Sequence, residues 1–365
     1  MPFPIIISRL FVFLLGALLV AFTLLSAIKT FVLPRAAPDW LTRLVFLAVR
    51  RIFNLRLRRS WSYQEKDRLM AFFAPISLLA LLPVWLSLVQ LGYTGMFWGL
   101  GVTPWSEAIH LSGSSLLTLG SATTTSIPQL FLVYTEATIG LILVALLIAY
   151  LPTMYAAFQR RETAVAMLEV RAGSPPSAVE MLLRFHRLHG LDRLSELWKT
   201  WEAWFVDIEE THTSLAALVF FRSPQPDHSW VTAAGAVLDA AALTRSTVDI
   251  PRDVQADLCI RAGYLALRRI ADFFGVSYDP NPKYGDAISV THAEFDAACE
   301  QLAERGVPIK PDREQAWQDF AGWRVNYDKV LLALAGLTMA PEAPWSSDRA
   351  LDQYRQPSLR RRRPA

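Results

Sequence analysis

The sequence predicts an all-α membrane protein: transmembrane helices, a short re-entrant helix and loop ahead of the last of them, and an all-helical domain after it. Three observations predict this. Hydrophobic residues make up 53% of the 365 residues and mean hydropathy is +0.27, too apolar for an ordinary soluble chain. The excess is concentrated in uncharged runs of bilayer length at 10–28, 70–91 and 137–158. Beyond about residue 160, apolar and charged residues recur at helical spacing, while strand signals are too short and scattered to build a sheet. The expected divisions are a first transmembrane helix at 1–34, a basic cytoplasmic loop or interfacial helix at 35–69, and a two-span module at 70–160. A helical cytoplasmic domain at 161–338 and a disordered basic tail at 339–365 complete them.

The first run is longer than the roughly 7–15 apolar residues of a signal-peptide core, and only Arg9 supplies charge ahead of it. A retained helix is therefore expected, stopped at Pro34. The loop that follows carries Arg43, Arg50, Arg51, Arg56, Arg58, Arg59 and Lys66 against Asp39, Glu65 and Asp67. Basic excess in a short loop beside a span places it in the cytoplasm. Its helical alternation of apolar and basic positions also suits a helix lying among lipid headgroups; a solvated basic linker is the alternative.

No charge interrupts the chain from Met70 until Glu107, and 92–129 contains no Lys or Arg. That side of the second span is expected outside, and the third span returns the chain to Arg160 and Arg161 in the cytoplasm. Pro83 should kink the second span, and Trp85, Tyr93, Phe97, Trp98 and Trp105 mark its passage through the interface.

Between these spans, Thr103 suits a helix N-cap, Pro104 the first helical position, and Glu107 the positive end of the helix dipole. A helix from there to Leu117 is about 20 Å long, enough to reach a bilayer midplane but not to cross. Its carboxyl end would aim partial negative charge at Thr118. Backbone carbonyls in such a place suit a dehydrated cation.

The run Ser115-Leu116-Leu117-Thr118-Leu119-Gly120, between a short uncharged helix and a long apolar one, resembles the pore loop of the potassium-channel superfamily. That signature is threonine, a branched aliphatic, glycine, an aromatic and a second glycine. Thr118, Leu119 and Gly120 match it; Ser121 and Ala122 stand where the aromatic and the second glycine would be. The resemblance implies an ion-conduction filter at Thr118, Leu119, Gly120, Ser121 and Ala122, with a gating hinge at Gly140 and Pro152. If the position of Ala122 needs a left-handed backbone, alanine costs about 1–2 kcal/mol there. Glu136 reads either as a cation-attracting carboxylate at a pore mouth or as an interfacial residue in water. The whole stretch also reads as a plain hairpin of two spans, with Gly113, Ser114 and Ser115 for close helix packing.

The helical half is expected to break at Ser174-Pro175-Pro176 and Ser223-Pro224-Gln225-Pro226, with capping boxes at Ser177/Glu180 and Thr291/Glu294. Residues 191–221 and 315–337 read as single helices. Trp198, Trp201 and Trp204 suit a core or a seam between subunits. Glu209 and His212 share a helical face as metal ligands do, though an interhelical hydrogen-bond pair fits them as well. Cys259 and Cys299, the two cysteines, give no disulfide framework and fit a reducing compartment. No phosphate-binding glycine loop, nucleophile elbow or paired CxxC occurs, and no basic footprint with interleaved aromatics suits nucleic acid.

The function expected is therefore passive conduction of a monovalent cation, with potassium as one candidate, through a cyclic homo-oligomer in the plasma membrane, for which the resemblance implies a homotetramer. The helical domain would gate or assemble the pore from the cytoplasm. No enzyme activity, cofactor, metal or nucleic acid is expected; membrane lipid is a partner. The alternative is a non-conducting membrane-anchored scaffold or sensor, and a third reading is a membrane enzyme built on Glu209 and His212.

Overall fold

A computed structural model describes residues 3–33, 39–58 and 60–349. Pro34, Arg35, Arg59 and the basic end from 350 onward lie outside them. The described chain is helical, with one isolated antiparallel bridge between Val248 and Ile309. It divides into two compact units: 1–57 with 72–155, and 58–71 with 156–365.

The first unit is built on α1 (Phe3–Phe31), α2 (Trp40–Arg56), α4 (Phe73–Gly99), α5 (Trp105–Leu116) and the first part of α6 (Ile127–Ala172). Among the described residues three helical stretches are long and apolar enough to cross a membrane: Pro4–Phe31, Tyr63–Gly99, which is α4 together with the short helix Tyr63–Ala71 before it, and Ile127–Ala172. Each extends beyond its apolar run. Helix α6 begins well before residue 137, with Pro128 in its first turn, where a missing N–H costs nothing. Gly173, at φ +83°, ends it.

Helices α1 and α4 run antiparallel along a seam of small residues. A Cβ on Gly16 would stand 2.3 Å from the Gly92 carbonyl oxygen, so only glycine permits this approach. Farther along, the Trp85 indole donates to Ser26 Oγ at 3.2 Å, and Ser26 in turn donates to Asp39 at 2.6 Å. Asp39 also caps α2 by accepting from the Thr42 amide at 2.8 Å. Residues 40–56 are thus a true helix rather than a linker. Leu41, Val45, Val49 and Phe53 are its buried face; Trp40, Leu44, Ile52 and Leu55 stay exposed. Helix α4 runs unbroken through Pro83.

The second unit contains α3 (Tyr63–Ala71), the end of α6, α7 (Ala178–Arg187), α8 (Leu194–Ser214), α9 (Trp230–Ser246), α10 (Val254–Phe273), α11 (His292–Glu304), α12 (Arg313–Arg324) and α13 (Asp328–Thr338). Alanine-rich α9 is its axis. It is buried on every side, and α7, α10, α12 and α13 pack around it because alanine lets backbones approach. Trp198, Trp201 and Trp204 of α8 are buried in the same core.

Three expectations are corrected here. Residues 191–221 are not one helix: α8 stops at Ser214, and a separate 3-10 turn follows at Ala216–Phe220. Residues 315–337 are two helices, α12 and α13. The Asn326 amide between them donates to the Gly322 and Trp323 carbonyls, closing α12. Residues 339–349 are packed rather than disordered: Trp345 is buried against Phe320, and Arg349 pairs with Glu294 at 2.7 Å. Apolar burial and a charge pair outweigh the tail's proline-rich composition.

The capping box at Thr291 and Glu294 is complete. At Ser177 only half is used: its hydroxyl accepts from the Glu180 amide, while the Glu180 carboxylate bonds Arg184 at 2.6 Å. Residues 58–71 join this unit because Arg222 donates to Asp67 at 2.5 Å, to the Tyr63 hydroxyl at 3.1 Å and to the Thr338 carbonyl at 2.8 Å.

Candidate functional site

The candidate site is the passage from α4 through α5 to α6. The Gln129 amide donates to the Leu100 carbonyl at 3.4 Å, so the end of α4 and the start of α6 stand level. Helix α5 starts beside that level, its Trp105 stacked on Trp98 at 4.9 Å. Its N-cap is Pro104, with no side-chain bond, so Thr103 does not cap it as expected.

From there α5 runs down between its neighbours. Ser112 lies within bonding reach of the Gln90 carbonyl on α4, at 3.1 Å, and of Glu136 on α6, at 2.6 Å. The last turn reaches Gly140, whose Cβ, if present, would stand 2.4 Å from the Leu116 carbonyl oxygen. Gly140 lies eleven residues beyond Gln129 on α6, about 17 Å at 1.5 Å per residue. That is roughly half of a 30 Å hydrocarbon core. Residues 117–126 then return to the start of α6 without regular structure.

The turn at the bottom has a definite form. The Leu119 amide donates to the Ser114 carbonyl at 2.8 Å and the Thr118 amide to the Ser115 carbonyl at 3.1 Å. Thr118 sits at φ 54°. These are the two bonds and the left-handed residue of a Schellman helix stop. Ser114 fastens the returning chain again: its hydroxyl accepts from the Ala122 amide at 3.0 Å. Ser121 meets His110 at 3.3 Å. Left-handed backbone occurs at Thr118 and Gly120, not at Ala122, so the strain expected at Ala122 falls instead on Thr118.

Thr118, Leu119, Gly120 and Ser121 are exposed, Leu119 by 66%, and Ala122 is partly covered. Together with Thr123, Thr124 and Thr125 they present hydroxyls and peptide carbonyls with no charged side chain. Such a set offers neutral oxygen ligands of the kind a cation takes in place of water.

Glu136 is not at a mouth. It is fully buried, two and a half turns into α6, because the helix starts at Ile127 rather than beside it. Gly140 and Pro152 lie inside one unbroken helix; Gly140 serves close approach to α5. Ser112 and Gln90, which hold the site together, carry no sequence signal of their own, whereas Ser114 reads from sequence as a small residue for close packing and in the fold also fastens the returning chain. The four serines of α5 at 106, 112, 114 and 115 were the available signal.

The helical unit separates the other candidates. Glu209 pairs with Arg269, and His212 is fully buried against Arg161 at 3.2 Å. Among the described residues no group of three or more His, Cys, Asp or Glu could hold a metal. Burial, and then the Arg161 charge, holds His212 well below its ordinary range. Cys259 and Cys299 are free and buried, and burial pushes both thiols up. Compared with known proteins, the chain matches no protein-family model, no curated protein and no solved structure.

Proposed function

We propose that this chain is one subunit of a passive cation pore, assembled as a cyclic homo-oligomer, with four copies as the expected number. The observation that carries this reading is the depth of α5. Its carboxyl end lies about 17 Å below the ends of its neighbours, followed by an exposed, uncharged, hydroxyl-rich return. Irregular backbone at such depth in a bilayer needs protein or a water-filled cavity around it. In one copy Leu119 and Gly120 are bare; copies around an axis would enclose them. Thr118 to Ala122 would supply the ligands, with the plasma membrane as the site and the helical unit on the cytoplasmic side, where the basic residues at 43–68 fall.

The Schellman stop at Thr118 favours a second reading, a membrane-anchored scaffold or sensor whose short helix merely ends there. Cation flux through full-length protein in liposomes, potassium against sodium, separates the two. At φ +68° with nothing within 4 Å of its missing Cβ, Gly120→Val alters backbone conformation without a clash. A pore loses its flux or changes its ion preference; a wild-type chain that passes neither ion is the scaffold.

A further inference from the structure

We infer that Glu136 is a proton-binding site, holding a carboxylic acid that ties α5 to its neighbours. The argument rests on counting donors. Ser112 has one hydroxyl hydrogen, yet its oxygen lies 3.1 Å from the Gln90 carbonyl and 2.6 Å from Glu136 Oε1. A bare carboxylate and a carbonyl are both acceptors, so one of these contacts would hold two lone pairs against each other. With a proton on Oε1, Glu136 donates to Ser112 and Ser112 donates to Gln90. Each close contact is then a hydrogen bond.

The surroundings agree. Ser112 and Glu136 are both fully buried, and Glu136 Oε2 has no partner. A neutral acid tolerates one unpaired carbonyl oxygen; a buried carboxylate without a counter-ion does not. No Lys or Arg occurs between Arg68 and Arg160. Arg9 of α1 stacks over Trp98, at the level of the helix ends, and Lys29 of α1 is half-buried in the last turn of that helix, at its other end. From α4 the facing titratable group is Tyr93, whose hydroxyl donates to Thr135 at 3.0 Å. From α5, Glu107 and His110 are on exposed positions, and Tyr134 of α6 is exposed. The ligand is a proton, and its loss to solvent would put a charge between three packed helices and unseat α5.

The test is infrared spectroscopy of the purified full-length protein in detergent at neutral pH, reading the carbonyl stretch of protonated carboxyl groups. Glu136→Gln, whose amide can donate to Ser112 in place of the acid, is expected to lose one such band. Ser112→Ala is expected to keep the band and shift it, since the acid loses its partner. Spectra of both variants identical to wild type in this region would overturn the assignment, as would a band that neither shifts nor disappears when Ser112 is changed and Glu136→Gln does not fold. This outcome does not depend on whether the protein conducts.

Discussion

Gly140 of α6 lies so close to Leu116 of α5 that a Cβ on it would stand 2.4 Å from the Leu116 carbonyl oxygen. A position read from sequence as a hinge is, in the fold, a point of contact. The backbone oxygen cannot swing aside as a side-chain tip would, so α5 itself must move if the space is filled.

Gly140→Ala should therefore destabilise the protein by about 1–3 kcal/mol, the usual cost of overpacking, and free the loop after α5. Thermal unfolding in detergent checks the first effect. Labelling of a cysteine placed at Ser121 checks the second, which should become faster. A glycine needed only for bending would leave both unchanged.

Thr118 holds a left-handed backbone at φ 54°, which costs a β-branched residue about 1–2 kcal/mol. Thr118→Gly relieves that strain and adds back some unfolded-state entropy, for a net gain near 0.5–1 kcal/mol. A rise in unfolding temperature would follow. If the hydroxyl is also an ion ligand, flux should fall while stability rises, which separates the two roles of this residue.

His212 is buried and neutral, below its ordinary range. The unfolded chain binds a proton near pH 6.5, while the folded chain does so only at lower pH. Stability from this group is therefore complete above about pH 6.5 and is lost as pH falls below it. His212→Gln should flatten the decline in stability between about pH 6.5 and pH 5, measured by denaturant unfolding. The variant keeps an acceptor for Arg161, which contacts His212 at 3.2 Å.

Glu294 shows how little of this kind of linkage the sequence displays. Its carboxyl is held down at about 2, chiefly by Arg349 and then by the Thr291 cap. The cap was legible, because Thr291 and Glu294 are three residues apart. The arginine was not, since it lies 55 residues away in a segment whose composition suggests disorder.

The same division runs through the whole chain. Amino-acid order alone determined the all-helical class, the three helices able to cross a membrane, and most helix starts and stops, because apolar runs, periodicity and caps act over a few residues. Tertiary structure decided the rest. It drew residues 58–71 to the helical unit through Arg222 and Asp67, turned Thr118 into a helix stop, and buried Glu136 against Ser112. The first and last depend on which distant side chain arrives alongside, and no local pattern encodes that arrival; the stop at Thr118 is local, but a threonine in a left-handed backbone carries no glycine to announce it.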